Sequence, residues 1–438
     1  MMPLPPPCDI YAVTGRPVLH SRSPFLFQPL FGELSGAFYL RLAARTAAEA
    51  LAAATHIGVT GLNVTAPFKE EMLRLSDHAD PAARNIGAAN ALTLTRDGIT
   101  AWNTDHHGVS GALAAAGCDP AGKRAVVLGA GGAARAAAYG IMQAGGMVTV
   151  VNRTFDKGRV LAELFCCRAR PLEKLDELLA DADILVTAIP DPTAVITRNH
   201  LHAGLTVLDA DYKGTALMRL CEKAGARYIA GSEWLFHQAL PSYELFTGRK
   251  PDAALMRRGY ATPPLSAKRP VALIGFMGSG KTAVGALLAP LLGRELIDTD
   301  ETIERQCGMT VADIFKEKGE PYFREREQKA LTSALAPRRV VSCGGGMILD
   351  EGNRRLLREK ATVVWLFTDA ATTLARIGDD PQRRPLLDVP RVAQRTEELL
   401  LKRTPLYASV ADLVIDATAL TAADIAALIA EELGRLGH

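Results

Sequence analysis

Apolar positions fall into short runs bounded by glycine, proline and polar residues, not into long uninterrupted stretches. Between residues 8 and 118 the runs Ile10–Val13, Ile57–Val64, Ala91–Thr95 and Ile99–Trp102 alternate with alanine-rich helical segments. Arg96-Asp97-Gly98, set between the last two runs, predicts a hairpin. From 120 to 260 the pattern becomes strictly alternating. Strands are expected at Ala125–Leu128, Met147–Val151, Asp183–Ala188, Thr206–Asp209 and Arg227–Ala230, with helices between them. Such a βαβ series implies a parallel sheet covered on both faces. A third block, 270–438, alternates in the same way from strand Val271–Ile274. The fold class expected is therefore α/β. The segment 261–269, rich in Pro, Ser and basic residues, reads as a linker. Nothing in it is apolar enough to fix an interface, so the parts it joins are expected to move independently.

Composition narrows the function. The chain has 438 residues, 48% hydrophobic and 22% charged, with a net charge of +2. That excludes disordered and collagen-like classes. The near-balance of charge argues against a nucleic-acid binder. The seven cysteines contain no C-x-x-C pair and no zinc spacing, as expected of reduced thiols in a cytoplasmic protein. The start MMPLPPPCDIYAV lacks a basic n-region, and no window is long and apolar enough for a membrane span.

Two glycine-rich turns carry chemistry. GAGGAAR at 129–135 follows a strand and opens a helix, so Gly129, Ala130, Gly131, Gly132 and Ala133 can bring backbone N–H groups to a pyrophosphate. The next strand ends in Asn152-Arg153-Thr154. An NAD site usually places an acidic residue there; Arg153 suits a 2′-phosphate and points to NADP. GFMGSGKT at 275–282 fits the P-loop pattern. Gly278, Ser279, Gly280 and Lys281 would hold ATP phosphates, and Thr282 would offer a hydroxyl to Mg²⁺.

Other residues stand out by position. Lys69, in NVTAPFKEEM, is expected in the first turn of a helix whose first residue is Pro67, where a cation is disfavoured. Either a neighbouring glutamate pairs with it or it exchanges a proton with substrate. Asp105 closes a strand in WNTDHHG, as a helix cap or as an acid–base partner. His106 and His107 read as polar loop residues. Asp298 and Asp300, two apart at a strand end, are expected on one face, one for metal and one for an acceptor hydroxyl. Arg324 and Glu327 share a helix face, GGG at 344–346 permits close ligand approach, and 378–390 has the composition of a lid.

Residues 8–260 resemble the shikimate dehydrogenase family through YAVTGRPVLHSRSP, GLNVTAPFK, IGAAN, NTD, GAGGAAR, NRT and FHQALPSYELFTG, in that order. The resemblance implies an N-terminal α/β substrate domain (1–118, completed by a helix at about 239–260), a Rossmann NADP domain (119–238), and NADPH-dependent reduction of 3-dehydroshikimate. It further implies that Ser21 and Ser23 bind the substrate carboxylate. Asn63, Thr65, Asn90, Tyr212 and Gln238 contact the rest of the substrate, and Lys69 and Asp105 are the acid–base pair. Two segments depart from the family: ILVTAIPDPTAV at 184–195 lacks the usual Asn-Ala-Thr and Gly-Met, and Tyr212 is followed by Lys213-Gly214 instead of proline. Residues 270–438 resemble shikimate kinase through GFMGSGKT, IDTDE, GEPYFREREQ, CGGGM, RRPLL and RTPLYASVAD. This implies a P-loop kinase domain with a parallel sheet, phosphorylating shikimate with ATP and Mg²⁺. Asp300, Arg324, Gly345, Gly346 and Arg403 would bind shikimate, Asp298 with Thr282 would serve the metal, and Arg384 would be the lid arginine. Together these make a bifunctional enzyme whose partners are small molecules, not nucleic acid or membrane. The alternatives kept are a quinate-specific dehydrogenase half, and a binding module with reduced catalysis beside an active kinase.

Overall fold

A computed structural model describes residues 8–32, 34, 36–211, 215–377 and 392–437. Tyr212, Arg384 and the lid segment 378–390 lie outside the described residues. In chain order the strands are β1 (Asp9–Gly15), β2 (Ala37–Ala43), β3 (Val59–Val64), β4 (His78–Ala79), β5 (Ala91–Thr95), β6 (Gly98–Trp102), β7 (Arg124–Leu128), β8 (Met147–Val151), β9 (Arg168–Arg170), β10 (Ile184–Thr187), β11 (Thr206–Asp209), β12 (Arg227–Ile229), β13 (Val271–Ile274), β14 (Glu295–Asp298), β15 (Arg339–Ser342), β16 (Thr362–Phe367) and β17 (Leu413–Asp416). Helices connect most of them, as α/β patterning requires.

Contacts divide the chain into two units, Met1–Phe68 with Ala261–His438, and Lys69–Tyr260. In the second unit a parallel sheet runs β12–β11–β10–β7–β8–β9. Counted from β7 that is the doubly wound order, whose strand order reverses between β7 and β10. Its strands are buried on both faces: Val127, Val150, Val186 and Leu208 pack in one layer, and Val126, Leu185 and Val207 in the other. The hairpin expected from Arg96-Asp97-Gly98 is present, with β5 antiparallel to β6 and Thr95 opposite Gly98.

In the first unit the parallel order is β14–β15–β13–β16–β17–β2–β1–β3. The first five strands form the sheet of the P-loop lobe. The run expected at Ile57–Val64 divides: Ile57 ends a helix, Gly58 caps it at φ +82°, and the strand starts at Val59. β17 pairs with β2 at Val414 and Leu42, both fully buried. Helix Ala47–Ile57 packs on β17 and helix Val392–Ala408 on β2. The expectation of independent motion therefore fails for the first three strands and the P-loop lobe. The joint is made by a strand edge and by helices, not by the polar segment 261–269, so the composition of that segment said nothing about it. The segment itself is held at its backbone: Arg22 donates to the Thr262 carbonyl at 2.8 Å and Arg294 to the Ala267 carbonyl at 2.7 Å.

Candidate active sites

In the second unit Lys69 is the first residue of a short helix, Lys69–Leu75. Pro67, expected to be the first helical residue, lies instead in the preceding turn, closed by Phe68 N–H to the Thr65 carbonyl at 3.1 Å. A seven-residue helix offers little dipole, so a carboxylate is what fixes the lysine. Lys69 Nζ donates to Asp105 Oδ2 at 2.5 Å, with the two side chains only 19% and 10% exposed. Asp105 is the first residue of helix Asp105–Ala115. Its backbone N–H is taken by the Asn103 side chain, and its carbonyl accepts from Trp234 Nε1 at 2.9 Å.

A buried hydrogen-bonded chain continues from there. Asn90 Nδ2 donates to Asp105 Oδ1 at 2.9 Å and to Gln238 Oε1 at 3.0 Å. Asn90 Oδ1 accepts from the Thr104 backbone N–H at 2.6 Å, and the Thr104 hydroxyl meets Ser242 Oγ at 2.9 Å. Thus Lys69, Asp105, Asn90 and Gln238 come together. Thr104, Ser242 and Trp234 were missed by sequence reasoning. Ser242 stands four residues after Gln238 on helix Gly231–Thr247, a spacing that could have flagged it.

The GAGG turn lies beside this chain. Gly129 has φ +126°, and a Cβ there would stand 2.8 Å from the Ala188 carbonyl oxygen, so only glycine fits. Gly131 caps helix Gly132–Gln143, and a Cβ on Gly132 would stand 3.5 Å from Lys69 Cδ. A cofactor on this turn is therefore adjacent to the lysine. At the end of β8 Asn152 Nδ2 holds the Thr154 carbonyl at 2.8 Å, and Arg153 is exposed to solvent. Within the departing segment 184–195, β10 ends at Thr187 and Asp191 accepts from the Thr193 backbone and hydroxyl to start a short turn. His106 and His107 are in the first turn of helix Asp105–Ala115 and not in a loop. Their rings are 4.0 Å apart, and burial pushes His106 down to about 4.

In the first unit Ser21 and Ser23 hydroxyls are 3.3 Å apart on the segment joining β1 to helix Ser23–Gly32. Asn63 on β3 is buried and accepts from Tyr39 Oη at 2.7 Å. Burial raises the Tyr39 phenol well above its ordinary value, against an opposing hydrogen bond with Ser23. Tyr39 thus ties Ser23 to Asn63; nothing in its sequence context marked it. Thr65 follows β3 and its N–H donates to the Thr14 carbonyl.

The P-loop lobe builds a second site. Lys281 Nζ donates to the Gly275 and Phe276 carbonyls at 3.0 and 2.9 Å, and Gly278 and Gly280 take positive φ. Thr282 Oγ1 donates to Asp298 Oδ2 at 2.8 Å, a hydroxyl and a carboxylate suited to a hard cation. Asp298 and Asp300 do not share a strand face. Asp298 ends β14 and caps the next helix, accepting from the Asp300 backbone at 3.0 Å, while Asp300 is inside that helix, Thr299–Cys307. The helical turn separates the two carboxylates. Burial, and then the charge of Asp298, push Asp300 up to about 6.

Around Asp300 the predicted shikimate residues converge. Arg324 Nη1 pairs with Glu327 Oε2 at 2.7 Å, and its Nη2 with Glu320 Oε1 at 2.9 Å. The Glu327 side chain is only 1% exposed, and burial raises it to about 7. Arg324 follows a break at Gly319 (φ +80°) that starts a new helix direction. Arg403 Nη1 and the Tyr407 hydroxyl both donate to the Gly345 carbonyl, at 3.2 and 2.9 Å. A Cβ on Gly344 would lie 2.5 Å from Asp300 Oδ1, and one on Gly346 would lie 2.6 Å from Arg324 Nη1. The triple glycine is there so that these two side chains can sit against the backbone. Glu320 and Tyr407 were not singled out from sequence.

A doubly wound sheet with its glycine turn against a lysine–aspartate pair, and a P-loop lobe with its own carboxylate–arginine cluster, define a dinucleotide-dependent dehydrogenase joined to a P-loop phosphotransferase. Comparison with known proteins agrees. The profile described as shikimate dehydrogenase substrate binding domain matches residues 13–92, the one described as shikimate / quinate 5-dehydrogenase matches 112–211, and the one described as shikimate kinase matches 277–434. A shikimate dehydrogenase (NADP(+)) of Syntrophobacter fumaroxidans is 37% identical over 255 residues, covering 55% of this chain and 88% of the relative. Shikimate kinase 2 of Dickeya chrysanthemi is 43% identical over 162 residues, covering 36% of this chain and 94% of the relative. Among solved structures, the shikimate 5-dehydrogenase of Thermus thermophilus in complex with NADP(H) and shikimate is 33% identical with a TM-score of 0.53, covering 57% of this chain and 98% of that one. The chain belongs to the shikimate dehydrogenase family in its first part and to the shikimate kinase family in its last, and is a bifunctional shikimate-pathway enzyme. No helix among the described residues is long and apolar enough to cross a membrane.

Proposed function

We propose that the chain reduces 3-dehydroshikimate to shikimate with NADPH and then phosphorylates the 3-hydroxyl of shikimate with ATP. The observation that carries the first step is the Lys69–Asp105–Asn90 chain beside the GAGG turn. When bound, NADPH supplies the hydride. Gly129 to Ala133 would cradle its pyrophosphate, and Asn152, Arg153 and Thr154 would take its ribose phosphate. Lys69 gives a proton to the carbonyl oxygen as it becomes a hydroxyl, and Asp105 holds the ammonium in place. Asn90 orients Asp105. Ser21 and Ser23 bind the substrate carboxylate, Thr65, Asn90 and Gln238 its ring hydroxyls, and Asn63 and Tyr212 complete the substrate contacts. The division of the chain into 1–118 with about 239–260, 119–238 and 270–438 belongs to the same reading.

For the second step, ATP would supply the phosphoryl group, and Mg²⁺ would supply charge neutralisation at its phosphates. Gly278, Ser279, Gly280, Lys281 and Arg384 hold the phosphates, and Thr282 and Asp298 would hold the cation. Asp300 orients the attacking hydroxyl and accepts its proton. Arg324, Gly345, Gly346 and Arg403 bind shikimate, with Arg324 set by Glu327. The test is to follow NADPH oxidation by the purified chain with 3-dehydroshikimate, with and without Mg·ATP. Shikimate should accumulate without ATP and shikimate 3-phosphate with it. No NADPH oxidation, alongside NADP⁺-linked or NAD⁺-linked oxidation of quinate, would overturn the dehydrogenase reading.

A further inference from the structure

The segment 16–22 leads from β1 to the helix that starts at Ser23, and it carries Ser21. One turn closes within it, Ser21 N–H to the Val18 carbonyl at 2.9 Å. The N–H groups of Val18 and Leu19 point the other way and are deeply buried, with these residues 0% and 1% exposed. Buried backbone donors need acceptors. Both find the same carboxylate, that of Glu432: Leu19 donates to Oε2 at 2.7 Å, and Val18 to Oε2 at 2.8 Å and Oε1 at 3.1 Å. Glu432 is itself 0% exposed and belongs to helix Ala422–Gly434, the last long helix of the P-loop lobe.

A second clamp acts on the same segment. Arg41 of β2, 3% exposed, donates to the Ser21 carbonyl from Nη2 at 2.8 Å and Nε at 3.1 Å, and to the Asp412 carbonyl of the P-loop lobe from Nη1 at 3.3 Å. Two further ion pairs link the same elements, Arg16–Glu431 and Arg45–Asp424, but each partner is more than a third exposed. Such pairs contribute little. The buried carboxylate decides the geometry.

We propose that Glu432, a residue of the kinase lobe, is a positioning residue for the dehydrogenase reaction: it fixes the backbone of the segment that presents Ser21 and Ser23 to the substrate carboxylate. This rests on the proposed role of those serines. The kinase lobe thereby completes the substrate-binding part of the dehydrogenase. Arg41 locks the far end of the segment at Ser21. Removing the acceptor leaves two buried N–H groups unsatisfied and frees the serines.

The experiment uses the full chain with Glu432→Met and Glu432→Gln, and measures both reactions separately. Glu432→Met keeps the length and removes the acceptor. It should raise KM for 3-dehydroshikimate about tenfold to a hundredfold, leave kcat within about threefold, and leave KM for NADPH and both kinase constants unchanged. Glu432→Gln keeps one accepting oxygen at the same reach and should restore KM to within about threefold of wild type. An unchanged KM in Glu432→Met overturns the proposal, as does equal loss in both reactions. Should Glu432→Met fail to fold, Glu432→Asp, which shortens the reach, must show the same rise confined to KM for 3-dehydroshikimate; an unchanged KM overturns the proposal. Wild-type chain inactive on 3-dehydroshikimate would instead overturn the functional reading itself.

Discussion

Lys69 Nζ meets Asp105 Oδ2 at 2.5 Å, and the other oxygen of that carboxylate accepts from Asn90 at 2.9 Å. Asp105 is thus held from two sides, with its backbone also fixed by Asn103 and Trp234. A lysine at the start of a short helix is kept in one place by a residue 36 positions away. General acid–base catalysis typically contributes a factor of about 100 to 10,000. Lys69→Ala should lower kcat for 3-dehydroshikimate reduction within that range, while phosphorylation of added shikimate stays near wild type. Spectrophotometric NADPH oxidation and a separate kinase assay measure both; parallel loss in a folded variant would refute the assignment.

Arg153 is exposed at the end of β8. A hydrogen bond to a charged group contributes about 1.5–3 kcal/mol. Arg153→Ala should weaken NADPH by roughly tenfold to a hundredfold and NADH little. Equal losses in KM for the two nucleotides would remove the 2′-phosphate role.

Asp300 lies in a different element from the P-loop. Asp300→Asn should lower kcat for phosphoryl transfer by about a hundredfold or more, with ATP affinity within about threefold, because the phosphates depend on Lys281 and the loop backbone. Nucleotide titration by fluorescence or calorimetry checks this; a collapse of ATP binding would make Asp300 a structural residue.

Gly346 leaves room for Arg324. Adding a Cβ would bring it to 2.6 Å from Nη1, at the end of a long side chain that can move aside. Gly346→Ala should therefore fold normally, displace the guanidinium, and raise KM for shikimate about tenfold, leaving KM for ATP unchanged. A change in KM for ATP alone would place Gly346 at the nucleotide instead.

Burial pushes Glu432 up to about 7, with Glu431 on the same helix adding, and the Val18 and Leu19 N–H groups and Arg41 opposing. The unfolded chain has this carboxyl near its ordinary value of about 4.3. Between those values the folded protein binds more protons than the unfolded one, so this group's contribution to stability falls as pH rises from about 4.3 to about 7. Glu432→Gln removes the titration. The difference in Tm, variant minus wild type, should grow more positive from pH 5 to pH 8 in thermal scans; a difference independent of pH would contradict the shift.

The glycine turns, the strand–helix alternation, the hairpin at Arg96-Asp97-Gly98 and the grouping of site residues near motifs were legible in the sequence. Each depends on local rules: the φ a glycine can adopt, the period of apolar positions, the donors at a helix start. Tertiary structure alone decided the rest. It separated Asp298 from Asp300 by starting a helix between them, paired Lys69 with Asp105 rather than with a neighbouring glutamate, and set Asp300 and Arg324 against glycines 344 and 346. It also joined β17 to β2 and set Glu432 under Val18 and Leu19. Those contacts link residues up to 414 positions apart. Their driving force is the burial of strand edges and unsatisfied N–H groups, which leaves no local pattern in either segment.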